Sequence, residues 1–178
     1  KSSEIEAADA LILPGVGSFG DAMQSLTNSG LLETVRAAAL SDTPFLGICL
    51  GLQLLFPESE ESKGVKGLGV LPGKIIKFPG GMGLKIPQIG WNSINIREGC
   101  KLYAGVPQNA YVYFVHSYYL QAADPEVVAA TAEYGVTFHA SVADEAHRLY
   151  ATQFHPEKSG AVGLRILRNF AAMQKGRG

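Results

Sequence analysis

The chain has 178 residues, 47% of them hydrophobic, and a formal net charge of -1, with a sequence pI of about 6.5. That length suits one domain, residues 1–178, with a sizeable core, and the near-neutral charge gives no electrostatic reason to bind nucleic acid or an anionic membrane. No apolar run approaches the ~18 residues of a spanning helix, no signal-peptide pattern is visible, and the two cysteines, Cys49 and Cys100, are too few for a disulfide framework, which points to a reducing cytoplasm.

Residues 10–13 read as a short buried strand, followed by a glycine-rich turn over residues 14–20. Residues 21–29 read as a helix stopped at Gly30, and residues 31–40 as a second helix. A strand over 45–48 and a helix over 50–56 come next. This strand–turn–helix alternation predicts parallel strands with crossover helices. Residues 57–110 hold many Gly and Pro, and short alternating runs at 74–78 and 93–96 read as antiparallel strands. Further strands are expected over 110–115, 127–131 and 149–154. Residues 161–173 have the apolar spacing of an amphipathic helix.

The most informative segment is Gly47-Ile48-Cys49-Leu50-Gly51, between a predicted strand and a predicted helix. This is the setting of a nucleophile elbow, here with cysteine at the tip. Its glycines allow a sharp turn and the close approach of a second segment. A cysteine nucleophile needs a base to take its proton and return it. Of the four histidines, His155 stands out, because Pro156 forces it into an extended conformation in which His155 and Glu157 share a face. A carboxylate on one ring nitrogen fixes the tautomer and steadies the imidazolium. Cys49, His155 and Glu157 therefore read as nucleophile, base and orienting group. Attack on a carbonyl also needs oxyanion donors. The N–H of Leu50 is the natural first, and the turn near Val16 or Gly17 a second.

Bland readings stand beside these. A lone cysteine is more often a small hydrophobe than a nucleophile. Residues 15–20 also match the dinucleotide pattern G-x-G-x-x-G, although no acidic residue closes the next strand as the full pattern requires. Trp91 also reads as a core aromatic and His116 as a satisfied structural histidine. Cys100 is expected to be an exposed, inert thiol, and His139 and His147 have no partner at metal-ligand spacing.

The stretches 13–20, 46–56, 89–92, 113–118 and 153–160 together resemble the class I (triad) glutamine amidotransferases over nearly the whole chain. Within that class, Gly90-Trp91-Asn92 and Tyr113 to Tyr118 are similar to the glutaminase subunits of imidazole glycerol phosphate synthases. The resemblance implies a three-layer α/β fold with a mostly parallel, flavodoxin-like open sheet and an antiparallel portion. It implies glutamine as substrate, no cofactor and no metal. It further implies a heterodimer with a (β/α)8-barrel synthase (cyclase) subunit that receives ammonia. By the same analogy Gly17, Gln53, Ser117 and Tyr118 would hold glutamine, and Trp91, Asn92, Tyr113 and His116 would lie near the partner and the ammonia passage. Gln88 stands where related sequences commonly carry His. Family members usually place a strand, a helix and a strand ahead of residues 10–13, so the domain is expected to be N-terminally incomplete. Alternatives are another class I amidotransferase, a stand-alone cysteine hydrolase of the same fold, or a non-catalytic fragment.

Overall fold

A computed structural model of the chain describes residues 1–174. The elements in order are α1 (Ser2–Glu6), β1 (Leu11–Leu13), α2 (Phe19–Asn28), α3 (Leu32–Ala39), β2 (Phe45–Ile48), α4 (Leu50–Leu54), β3 (Gly73–Lys77), β4 (Gln88–Ser93), β5 (Asn95–Ile96), β6 (Tyr111–His116), β7 (Tyr118–Ala122), β8 (Val128–Glu133), β9 (Thr137–Asp144), β10 (Leu149–Thr152) and α5 (Gly160–Ala171). Three of these strands, β4, β7 and β9, and the short helix α1 were not expected from the sequence. The helices and the remaining strands fall within a few residues of the segments expected for them.

The main sheet runs β1-β2-β10-β9-β7-β3, with β8 pairing β9 and β5 pairing β8; β4 and β6 form a separate two-stranded ribbon. β1, β2 and β10 are parallel, and antiparallel pairings extend the sheet beyond β10. The fold is thus α/β with an open sheet of mixed direction. Every residue of β2 and β10 is buried, as expected for central strands covered on both faces. Strand alternation feeds two cores. Leu46, Ile48, Tyr150 and Phe154 join Ile166 and Phe170 of α5 on one face. Phe45, Leu149 and Ala151 join Phe19, Met23 and the leucines of α4 on the other. Cys100 belongs to the first core and is 6% exposed, which corrects the expectation of an exposed thiol: the turn that follows Gly99 tucks it inward.

Two glycines set how closely the layers meet. A Cβ on Gly51 would lie 1.9 Å from the Leu13 carbonyl oxygen, and one on Gly47 would lie 2.8 Å from the Gly51 carbonyl oxygen. Neither glycine has positive φ; Cys49 between them does, at φ 55° and ψ −108°. The glycines serve close approach, and the strained turn is made by the cysteine itself. Gly51→Ala is expected to lower stability by ~1–3 kcal/mol through overpacking against β1. Gly80→Ala, which meets nothing within 4 Å, should stay within about 0.5 kcal/mol of the parent. Equal urea midpoints for the two variants would contradict this packing.

Candidate active site

The three parallel strands end side by side, with Leu13 and Ala151 both opposite Gly47. The turns leaving their C-terminal ends therefore converge, as open α/β sheets require of a site. β1 leads to the turn Gly15–Gly17, β2 to Cys49, and β10 to Gln153 and His155. Together with Leu50, Gln53, Glu61, Val115, His116, Ser117, Tyr118 and Lys158 they line a cleft of about 270 Å³, except Gln153, which lies beneath it.

Cys49 is fixed by its backbone. Its N–H donates to the Thr152 carbonyl at 2.8 Å, and its carbonyl accepts from Leu52 at the start of α4. A non-glycine residue in this conformation stores roughly 1–3 kcal/mol of strain, held by the packing of Gly47 and Gly51. Among the described residues, the thiol's hydrogen-bond partners are the Val115 carbonyl and the Gln153 side-chain amide, each at 3.8 Å; His155 is not one of them. Burial pushes the thiol up to about 11, and the Glu157 charge adds to this. The Leu50 N–H, the Gln153 amide and Lys158 pull the other way.

His155 is buried and accepts no freedom of rotation. Its Nδ1–H donates to Glu157 Oε1 at 2.6 Å, which leaves Nε2 as the ring nitrogen available to act as a base. Its backbone is sewn to the free edge of β6: His155 N–H donates to the Tyr113 carbonyl at 3.0 Å, while Ser159 Oγ accepts from Tyr113 N–H at 3.0 Å and donates to the His155 carbonyl at 2.6 Å. Gly163 of α5 lets the helix close on this turn, since a Cβ there would lie 1.8 Å from the Pro156 carbonyl oxygen.

The glycine-rich turn packs on the elbow. A Cβ on Gly15 would meet the Leu50 Cβ at 3.0 Å, and Gly17 has φ 92°, a conformation that favours glycine. Among the described residues the N–H groups of Val16 and Gly17 have no hydrogen-bond acceptor. The N–H groups at the start of α2 are already taken: Phe19 donates to Glu61 Oε2 at 2.8 Å and Gly20 to Ser62 Oγ at 2.9 Å. A pyrophosphate would need those donors and would meet the Glu61 carboxylate, so the dinucleotide reading of this turn fails.

The ribbon divides the residues expected near a partner. Ile89, Trp91 and Tyr111 are exposed on its outer face, with the Trp91 and Tyr113 rings 5.9 Å apart. Asn92 and His116 fall on the inner face because strand residues alternate. Asn92 donates to the Glu133 carbonyl. His116 is 6% exposed and held neutral, its pKa lowered to about 4 by burial. Its Nδ1–H donates to the Tyr118 carbonyl at 2.8 Å, and Nε2 meets the Gln88 side chain at 2.7 Å. Gln153, Glu61 and Lys158 are additions to the sequence reading. Gln153 and Lys158 lie within the stretch 153–160, which assigned them no role; Glu61 lies in a loop that carried no motif.

With a thiol raised this far, Cys49 stays protonated through the neutral range. Alkylation by iodoacetamide is expected to be slow at pH 7.5 and to rise about tenfold per pH unit up to at least pH 9. A plateau in the rate below pH 8.5 would contradict a buried neutral thiol.

A family model described as glutamine amidotransferase class-I matches residues 1–173. Over 174 residues the chain is 51% identical to the imidazole glycerol phosphate synthase subunit HisH of Syntrophotalea carbinolica, covering 95% of this chain and 84% of that one. The subunit of the same name from Methanocaldococcus jannaschii is 46% identical over 172 residues, covering 97% and 84%. A solved glutamine amidotransferase shares the fold at a TM-score of 0.72 and 20% identity, covering 97% of this chain and 82% of that one. The chain belongs to the class-I glutamine amidotransferases, within the family of the synthase subunit HisH.

Proposed function

We propose that this chain hydrolyses glutamine at Cys49 and passes the ammonia to a (β/α)8-barrel cyclase subunit that makes imidazole glycerol phosphate. The observation that carries this reading is the strained Cys49 elbow opening into the cleft that His155, bonded to Glu157, also lines. Relatives 46–51% identical are named as subunits of that synthase.

In this mechanism His155 Nε2 takes the Cys49 proton as the sulfur attacks the glutamine side-chain amide carbon. The N–H of Leu50, with those of Val16 and Gly17, stabilises the oxyanion. His155 returns the proton to the leaving nitrogen, ammonia departs and a glutamyl thioester remains. His155 then takes a proton from water, hydroxide attacks the thioester, and glutamate leaves as the thiol is restored. Glu157 holds the imidazole in the tautomer that does this. Gly17, Gln53, Ser117 and Tyr118 line the cleft where the amino-acid end of glutamine would lie. One oxygen of Glu61 is engaged by Phe19, and its carboxylate supplies the charge to meet the substrate ammonium.

The outer face of the ribbon suits the partner. Ile89 and Trp91 are 62% and 56% exposed, and Val115 on the same strand pair lines the cleft and contacts the thiol. An apolar patch continuous with a catalytic cleft is the feature expected of a docking surface. A complex of this kind operates in the cytoplasm, where both cysteines stay reduced.

Cys49→Ser is expected to cut glutamine hydrolysis by the assembled synthase at least 10³-fold while synthesis from added ammonium salts continues. Glutamine hydrolysis that survives the substitution would end this assignment. Trp91→Asp should weaken association with the barrel subunit by ~30-fold or more, as loss of a central aromatic does, without lowering the melting temperature of the isolated chain. Titration calorimetry giving equal Kd values would remove the ribbon from the interface.

A further inference from the structure

Gln153 is fully buried and does not line the cleft, yet it sits directly against the catalytic sulfur. Its orientation follows from a chain of hydrogen bonds with one fixed end. The Tyr118 carbonyl can only accept. It receives His116 Nδ1–H at 2.8 Å and the Gln53 side-chain amide at 3.1 Å. Gln53 is therefore turned with its NH₂ group inward, and that group's second hydrogen goes to Gln153 Oε1, also at 3.1 Å. With its oxygen so engaged, Gln153 has only N–H left to present, and its Nε2 faces Cys49 Sγ at 3.8 Å. The backbone permits no escape, since Gln153 N–H donates to the Ala140 carbonyl at 2.8 Å.

Building on the catalytic reading of Cys49, we propose that Gln153 is a positioning residue for the nucleophile, holding an amide N–H on the sulfur so that the thiolate formed during attack is stabilised inside the protein. The donor is fixed before substrate arrives, through Gln53 and the Tyr118 carbonyl. Charge-assisted hydrogen bonds of this kind favour the ionised form, and a buried sulfur has few other sources of such help. The charged and titratable groups around Cys49 are His155, Glu157 and Lys158 on the turn after β10, His116 on β6, and Glu61 across the cleft. Of these only Lys158 and a protonated His155 would favour a thiolate, and both act without a fixed bond to the sulfur among the described residues. The Leu50 N–H, the other donor near the sulfur, is also the donor assigned to the substrate oxyanion, whereas Gln153 has no substrate to serve.

The test uses the full-length protein carrying Cys100→Ser, so that Cys49 is the one thiol read. Gln153→Met keeps the length and volume of the side chain and removes the donor. Iodoacetamide alkylation of native Cys49 at pH 8 is expected to slow ~3- to 10-fold: a higher thiol pKa reduces the thiolate fraction, and the greater nucleophilicity of the more basic thiolate offsets part of that loss. The urea-unfolded chains should react at equal rates. In the assembled synthase kcat for glutamine should fall with KM unchanged, because Gln153 does not touch the cleft. Equal native alkylation rates in a folded variant would overturn the proposal and leave the assignment of Cys49, tested by Cys49→Ser, untouched. A second measurement does not need the Gln153 variant to fold. The Gln153 side-chain NH₂ resonances of the parent should shift on Cys49→Ala, and an unchanged pair would equally overturn it.

Discussion

The close contact between the elbow and β1 is the constraint on which the site depends. With Gly51 against the Leu13 carbonyl and Gly47 against the backbone of Gly51, the chain must reverse from strand to helix within one residue, and Cys49 takes the strained φ. The strain of roughly 1–3 kcal/mol cannot relax because both neighbours of β2 are in register with it and the residues of α4 are buried. A helix of five residues has little stability of its own. It persists because Leu50, Leu52 and Leu54 pack into the core beneath the sheet. Cys49 is thus held by burial at both ends, beneath a cleft lined by both apolar and polar groups.

Burial that fixes the sulfur also opposes its ionisation. Desolvation is the main cause of the raised pKa, and the Glu157 charge, whose carboxylate orients His155, adds to it. The site therefore rests with the thiol neutral and bonded to the Val115 carbonyl. A resting thiol of this kind is protected from oxidation, because the thiolate is the reactive form. In the proposed mechanism, proton transfer to His155 becomes favourable when the developing charge can pass to the amide oxygen of a bound substrate and its N–H donors.

What was legible in the sequence was local. The elbow, the His-Pro-Glu stretch and the glycine-rich turn each announce themselves within a few residues, and strand ends in parallel register bring all three together. Strand β9 was missed because Ala140, Ser141 and Ala143 break the bulky alternation by which strands are recognised, although it pairs with β10, β7 and β8. Strand β7 follows β6 after one residue, and the composition gives no turn signal there. Gln153 and Glu61 owe their places to contacts across 104 and 42 residues of sequence, which no local pattern encodes. Cys100 was misplaced for the same reason: the polar and glycine neighbours on its N-terminal side suggested exposure, but Leu102 and Tyr103 after it carry the turn into the core.

The ribbon unites these themes. Its alternation sends Ile89, Trp91, Tyr111 and Tyr113 to the outside and Gln88, His116, Phe114 and Val112 to the core. Strand β6 has a second edge, away from β4, and that edge is occupied by the catalytic segment. Tyr113 bonds the backbone of His155 and the hydroxyl of Ser159, and the Val115 carbonyl meets the Cys49 thiol. The proposed base and nucleophile are therefore both attached to a strand whose outward side chains form an exposed apolar face. A protein seated on that face would bear on the two groups that exchange a proton in the proposed mechanism, with one strand between them.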